Sequence, residues 1–125
     1  DTDARPVVSS VPVAGRRVEV DTARQLLFLV GADDVVQRTI HVSTGVAAMP
    51  TPAGQFVVFG HERLVWSVPF QRWLEFTSTF APGTSLQAAA SVPVGASSRG
   101  SVLVPYQEAA AVYAFATPGT SIVVR

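Results

Sequence analysis

The stretch Leu26-Leu27-Phe28-Leu29-Val30-Gly31-Ala32-Asp33-Asp34 decides the fold class of this 125-residue chain. Its five consecutive apolar residues are typical of a buried strand, and the Gly-Ala-Asp-Asp segment after them is typical of a turn. Residues 35–43 then continue as a second strand, with Val36, Ile40 and Val42 on one face. The stretch therefore predicts an antiparallel hairpin.

Short strand-like runs continue on both sides of this hairpin. Val18 and Val20 alternate with acidic residues before it, and further runs follow it at residues 55–59, 64–68, 84–86, 101–104 and 121–124. Strands at this spacing, separated by Gly and Pro, indicate a β-sandwich or barrel rather than alternating βαβ units. The predicted fold class is therefore mainly β.

One helix is predicted near the C-terminus, over residues 107–116. Pro105 stands at its start, Pro118-Gly119 follows its end, and Val112, Tyr113 and Phe115 supply apolar side chains for burial. Before the first strand, residues 1–15 are small, polar or proline-containing, so we expect a linker or a loosely docked N-terminal segment there. Residues 16–125 are of a size to form one domain.

Composition excludes several classes of protein. With 48% hydrophobic and 14% charged residues, the chain is not of the intrinsically disordered kind. Its net charge is zero and it has no basic stripe, so nucleic acid is not an expected partner. No apolar run approaches the roughly 18 residues of a transmembrane helix. We also expect no signal peptide, because no basic region followed by an apolar stretch opens the sequence.

The chain has no cysteine, which excludes disulfides, thiolate chemistry and cysteine-ligated metal. Its two histidines, His41 and His61, make a poor metal-site signal, so we expect neither a metal nor a cofactor. All nine basic residues are arginine, and Lys and Asn are absent. Since those two residues need AT-rich codons, the composition indicates a GC-rich bacterial genome of the actinobacterial kind.

Several motifs then occur in a fixed order: Val42-Ser43-Thr44-Gly45, Thr51-Pro52-Ala53-Gly54-Gln55-Phe56, Val68-Pro69-Phe70, and the loop Ser98-Arg99-Gly100-Ser101 leading into a strand and an alanine-rich helix. Over roughly residues 16–125 this order resembles the L,D-transpeptidase catalytic domain, also called the YkuD domain. The resemblance implies a β-sandwich in the bacterial envelope or secreted from the cell, outside the cytoplasm. It further implies a peptidoglycan stem peptide or another envelope protein as partner.

In that family a cysteine thiolate attacks a stem-peptide carbonyl, and a histidine serves as base. Carried over residue by residue, the nucleophile position falls on Ser101, and the arginine two residues later on Leu103. The histidine that supplies the base falls on Gln87, and a loop histidine falls on Arg99. Because these positions are replaced together, we expect no intact catalytic site, and a domain that binds or acts as a scaffold.

The expected binding residues are those of the degenerate loop and its surroundings. Gly100 permits a turn with positive φ, and the Ser98 hydroxyl can bond to backbone donors, so the loop can keep its shape. Arg99 could pair with a carboxylate or simply be solvated. An aromatic segment at residues 66–80 is expected to lie mostly in the core, with one or two members lining a groove. The full set is Ser98, Arg99, Gly100, Ser101, Gln87, Phe70 and Trp73.

Two other functions remain open from the sequence. Ser101 could act as a serine nucleophile for acyl transfer or hydrolysis of stem peptides, if His41 or His61 came close enough to serve as base. Alternatively, the domain could be a rigid spacer without a ligand. A spacer should have its groove closed by side chains such as Gln87, Leu103 and Arg99.

Overall fold

The chain folds into two β-sheets and one helix over residues 14–125, the part that this computed structural model describes. In chain order the elements are β1 (Arg17–Asp21), β2 (Leu26–Val30), β3 (Val36–His41), β4 (Gly54–Val57), β5 (Gly60–Ser67), β6 (Arg72–Ala81), β7 (Thr84–Ala89), β8 (Val102–Pro105), α1 (Tyr106–Phe115) and β9 (Ser121–Val124). The sheets have the orders β3-β2-β1-β9-β4 and β5-β6-β7-β8. The predicted fold, mainly β with one helix near the C-terminus, is confirmed.

The hairpin predicted at residues 26–43 is present. β2 and β3 pair antiparallel, with Leu27 opposite Ile40. The turn is closed by the Asp34 amide, which donates to the Gly31 oxygen at 3.0 Å. Most of the predicted N-terminal linker, residues 1–13, lies outside the described residues.

The core lies between the two sheets. β1 and β9 are parallel neighbours within the first sheet, where Val18 lies beside Ile122 and Val20 beside Val124. Each apolar side chain of this size contributes about 1.5–3 kcal/mol when fully buried. The second sheet adds the buried side chains of Phe80, Leu86, Val102 and Val104.

The other face of β1 is charged and nevertheless buried. Arg17, Glu19 and Asp21 are 9%, 3% and 7% exposed. The Arg17 Nε lies 2.8 Å from a carboxylate oxygen of Glu19, and Arg125 binds the other oxygen of the same carboxylate. Burial alone would raise the pKa of Asp21, but hydrogen bonds from the side chain and backbone amide of Arg24 lower it below its usual value. The charges on this face are thus paired, as buried charges need to be.

The longest strand, β6, was not predicted from the sequence. It has ten residues and lies between β5 and β7. Its register with β5 is unbroken on either side of Phe76, but its residues do not alternate between buried and exposed. The polar Thr77 and Ser78 are both buried, as are the apolar Phe80 and Ala81 that follow, so the strand lacks the period-two pattern that identifies a half-buried strand.

The expectation that the aromatic segment lies mostly in the core was wrong. Trp66, Phe70 and Trp73 are 44%, 41% and 60% exposed, whereas Phe80 is buried. The three exposed rings lie toward the turn end of the β5–β6 hairpin, away from the core cluster between the sheets.

The helix is close to its predicted range. Pro105 is both the last residue of β8 and the N-cap of α1, and Val112 is buried as expected. Within residues 14–125, no helix is long and apolar enough to cross a membrane.

Candidate functional site

Two loops that are distant in sequence are joined by backbone hydrogen bonds. The amide of Ser43 donates to the Leu103 oxygen at 3.1 Å, and the amide of Leu103 donates to the Ser43 oxygen at 2.8 Å. The Thr44 oxygen accepts from the amides of Ser97 and Ser98, each at 3.0 Å. The segment 42–45 therefore fixes the position of the loop 97–101.

Thr51 links the other predicted motif to the same loop. Its hydroxyl accepts from the Gly45 amide at 2.9 Å and donates to the Gly100 oxygen at 2.6 Å. Gly45 must be glycine here, because a Cβ atom would lie 2.2 Å from the backbone oxygen of Met49. The motifs 42–45 and 51–56 and the loop 98–101 thus form one unit.

The loop itself has the internal bonding that its sequence predicts. Gly100 has a φ of 118°, a conformation that favours glycine. Its amide donates to the Ser98 hydroxyl oxygen at 3.2 Å, and the Ser98 hydroxyl donates to the backbone oxygen of Ser101. Together with the bonds from Thr44 and Thr51, these internal bonds give the loop a defined shape without any catalytic side chain.

Three positions at which the family's residues are replaced, Gln87, Ser101 and Leu103, lie close together at the end of this loop. β7 and β8 are parallel, with Gln87 opposite Leu103. The Ser101 hydroxyl oxygen accepts from the Ser85 amide at 3.1 Å, and the Ser85 hydroxyl donates to Oε1 of Gln87 at 3.0 Å. Gln87 is 4% exposed. Its amide is therefore held in place, and an amide cannot take up a proton at any useful pH.

Neither histidine reaches this patch. His41 is exposed on β3. The ring of His61 stacks on that of Tyr113, with centroids 3.8 Å apart, and its Nε2 lies 2.8 Å from the Tyr113 backbone oxygen. His41 is thus a surface histidine and His61 a hydrogen-bonded one, and neither lines the cavity or the groove beside the loop.

The loop borders a cavity of about 200 Å³, and a larger groove of about 720 Å³ adjoins it. The two share Arg72, Ser97 and Leu103 as lining residues. Of the predicted binding residues, Trp73 lines the groove, and Gly100 is buried within the loop and lines neither space. The cavity brings together the remaining five, Ser98, Arg99, Ser101, Gln87 and Phe70.

Two guanidinium groups flank the ring of Phe70 at this cavity. Cζ of Arg72 is 5.8 Å from the ring centroid, and Cζ of Arg99 is 5.7 Å from it. These distances are within the range of cation–π attraction. The edge of the cavity is therefore cationic.

Sequence reasoning missed several residues of the site. Arg72 was overlooked because it begins the unpredicted strand β6. Ser85 could have been found from its spacing, since it lies two residues before Gln87 and so on the same face of β7. Within the described residues, no group of three His, Cys, Asp or Glu side chains could hold a metal ion.

Comparisons with known proteins agree with the fold and the arrangement of motifs. The family model of the YkuD L,D-transpeptidase catalytic domain matches residues 15–124. No curated protein matches the chain.

Several solved structures are similar in fold. An L,D-transpeptidase from Stackebrandtia nassauensis is 24% identical with a TM-score of 0.82, over 91% of this chain and 57% of that one. One from Mycobacterium smegmatis is 20% identical with a TM-score of 0.80, over 90% and 59%. One from Xylanimonas cellulosilytica is 22% identical with a TM-score of 0.76, over 91% and 62%. The chain spans less than two thirds of each of these structures.

Proposed function

The chain belongs to the YkuD family of L,D-transpeptidase catalytic domains, and from this premise we propose that it is a member without transpeptidase chemistry that binds peptide. The proposed setting is the bacterial cell envelope, outside the cytoplasm. The proposed ligand is a peptidoglycan stem peptide, or a segment of another envelope protein that presents the same groups.

One observation carries the loss of chemistry: Ser101 lies beside Gln87 and Leu103, with no base among the residues that line its cavity. A serine hydroxyl is essentially un-ionised at neutral pH, so it needs a general base within hydrogen-bond reach. The Ser101 oxygen instead accepts a hydrogen bond from the Ser85 amide. That bond does nothing to remove the hydroxyl proton.

The open cavity supports binding over a spacer role. In a spacer the groove should be closed by Gln87, Leu103 and Arg99, yet these three side chains border a space of about 200 Å³. A combined cavity and groove of this size is in the range of ligand sites. The hydrogen bonds of Thr51 and Ser98 keep the loop around that space.

A serine-based acyl-transfer enzyme or hydrolase is the second candidate, favoured by the position of Ser101. Its side chain lines the cavity, where a peptide carbonyl could approach it. Because the described residues supply no base there, this activity would require substrate-assisted proton removal. It therefore ranks below binding.

Calorimetric titration of the protein with a tetrapeptide stem peptide tests the proposal. We expect saturable binding and, in the same mixture followed by mass spectrometry, no consumption of the peptide and no exchange of its last residue for an added amine. Turnover that is abolished by Ser101→Ala would overturn the loss of chemistry. Absence of binding at any accessible concentration would overturn the binding function.

A covalent probe separates the two candidates further. An intact-mass measurement after exposure to a β-lactam or a fluorophosphonate should show no adduct. An adduct that is present in the wild type and absent from Ser101→Ala would establish the serine enzyme. Ser85→Ala is a suitable second control, since it leaves Ser101 in place and removes only the hydroxyl bond to Gln87.

We also propose residues 16–125 as the autonomous domain. Gly15 already contacts it, since its amide donates to Asp34 at 2.8 Å and its oxygen accepts from Arg17 at 2.8 Å. A protein that begins at residue 16 should therefore fold with a slightly lower Tm and bind the stem peptide unchanged. Failure of this truncated protein to fold would contradict the boundary.

A further inference from the structure

Arg72 and Arg99 differ from the other arginines of the described chain. Each of the others in residues 14–125 has an ion pair or a hydrogen bond to another residue. The side chains of Arg72 and Arg99 have neither within those residues, and their guanidinium groups lie near the ring of Phe70. Both line the same cavity of about 200 Å³. The two uncompensated guanidinium groups are therefore concentrated at one place.

The remaining polar groups of this cavity also offer donors. Oε1 of Gln87 accepts from Ser85, which leaves the Nε2 amide protons of Gln87 without a partner in the described chain. The Ser101 oxygen accepts from the Ser85 amide, so its own hydroxyl proton is available. No Asp or Glu lines the cavity. A ligand group with several acceptor oxygens fits this lining, whereas an ammonium group would meet two guanidinium charges and no carboxylate.

We propose that this cavity binds the free carboxylate of its ligand, between Arg72 and Arg99 and over Phe70. This inference rests on the proposed function, because the carboxylate would be the C-terminal group of the bound peptide. Guanidinium groups bind carboxylates with two parallel hydrogen bonds, which fixes orientation as well as charge. The ligand is therefore held by its C-terminus, in one direction.

The volume of the cavity limits the size of the terminal residue that carries the carboxylate. A volume of about 200 Å³ corresponds to roughly six or seven waters at about 30 Å³ each. This is room for one small terminal residue. The preceding residues of the peptide would extend into the adjoining groove of about 720 Å³, past the shared lining of Arg72, Ser97 and Leu103.

Arg72 and Arg99 supply positive charge at a site that lacks the arginine of the family motif. The family position that carries an arginine is Leu103 here, and it borders both spaces. Arg72 comes from the start of β6 and Arg99 from the loop, so they approach the cavity from two separate segments. The cationic character of the site thus has a different origin in this chain.

The test compares a tetrapeptide stem peptide that has a free C-terminal carboxylate with the same peptide as its C-terminal carboxamide. By calorimetry we expect the acid to bind about tenfold more tightly or better, as for hydrogen bonds to charged groups. Arg72→Gln and Arg99→Gln should each weaken binding of the acid about tenfold and leave binding of the carboxamide unchanged. The affinity for the acid should fall more steeply with rising salt than the affinity for the carboxamide.

Arg38→Gln is the matched control, because Arg38 is a surface arginine outside both spaces that pairs with Glu108. It should leave both affinities at wild-type values. Arg72 and Arg99 are exposed and make no ion pair, so their variants should keep the wild-type Tm. A loss of binding without loss of Tm can then be assigned to the site.

The outcomes separate this inference from the proposed function. Equal affinity for acid and carboxamide would overturn the carboxylate site and leave peptide binding intact. If neither peptide binds but N-acetyl-D-alanine shifts the Arg72 and Arg99 side-chain resonances, the carboxylate site is supported and the stem-peptide function is overturned. If none of the three probes binds, both are overturned.

Discussion

Gln87 and Leu103 are direct partners across the parallel strands β7 and β8, and Ser101 lies just before Leu103. Ser85 connects this pair to the loop, since its amide binds the Ser101 hydroxyl and its own hydroxyl binds Gln87. The three positions are thus in one environment, and a change at any of them alters the surroundings of the other two.

The first prediction concerns a thiol placed at the nucleophile position. Ser101→Cys should give a thiol that reacts with iodoacetamide with a midpoint near pH 8.5, the ordinary thiol pKa, because Gln87 supplies no base. Adding Gln87→His should lower that midpoint by about one pH unit, since the histidine can take up the thiol proton and the resulting imidazolium stabilises the thiolate. The pH dependence of the alkylation rate measures both values.

Gln87→His alone and Ser101→Cys with Gln87→Ala are the controls for that measurement. The first has no thiol to alkylate, and the second removes the amide without adding a base. If Ser101→Cys with Gln87→Ala lowers the midpoint as much as Ser101→Cys with Gln87→His does, a side chain at position 87 does not act as a base toward position 101.

The second prediction concerns Gly45. Gly45→Ala should lower the free energy of unfolding by about 3 kcal/mol, because the new methyl group would overlap the Met49 oxygen and backbone cannot easily move aside. Gly83→Ala is a matched control with open space around its Cβ and a φ of 70°. It should cost only about 1 kcal/mol of backbone strain. Urea unfolding followed by tryptophan fluorescence measures both, and equal losses would contradict the steric account.

The third prediction concerns the hydroxyl of Thr51. Thr51→Val keeps the shape of the side chain but leaves the Gly45 amide and the Gly100 oxygen without their partner, so we expect a loss of about 2 kcal/mol. Thr51→Ser retains the hydroxyl and should lose much less. If stem-peptide affinity falls with Thr51→Val and recovers with Thr51→Ser, the hydroxyl shapes the loop as well as stabilising it. Identical stabilities of the two variants would contradict its bridging role.

The fourth prediction is an acid-dependent loss of stability. Hydrogen bonds from Arg17 and from the Gly15 amide lower the pKa of Asp34, and those from Arg24 lower the pKa of Asp21 despite its burial. Carboxyl groups with a lowered pKa stabilise the fold at a pH above their ordinary value of 3.8. That stabilisation is lost as the pH falls through the lower values of the folded state.

Asp21→Asn should therefore reduce the free energy of unfolding at pH 7. Below about pH 4, that free energy should fall less steeply with pH than in the wild type. Glu62→Gln is the control, since Glu62 is exposed and has no ion pair within residues 14–125. Equilibrium unfolding between pH 2 and pH 7 tests the prediction, which a parallel decline in Asp21→Asn and the wild type would refute.

Local patterns were sufficient to predict the hairpin at residues 26–43, the helix and the short strands on either side. Each of these has its signal within a few neighbouring residues, such as Pro105 at the start of the helix. The strand β6 could not be predicted in this way, because Thr77 and Ser78 are polar although both are buried, so the alternation that identifies a strand is missing.

The candidate site depended on more distant relations. The family resemblance brought Gln87, Ser101 and Leu103 into one hypothesis, and the register of β7 and β8 makes them neighbours. Nothing in the sequence linked Thr51 to Gly100, which are 49 residues apart. Arg72 was missed for a related reason, since its place at the cavity depends on how β6 pairs rather than on its neighbours in sequence.

The parallel pairing of β1 with β9 determines how the domain responds to force. Arg17 at the start of β1 lies beside Ser121 at the start of β9, so residues 14 and 125 leave this strand pair at opposite ends. Tension applied between those residues pulls the two strands lengthwise past each other. The hydrogen bonds between them are then loaded together in shear instead of being opened one at a time. A domain tethered at both points would therefore resist extension strongly.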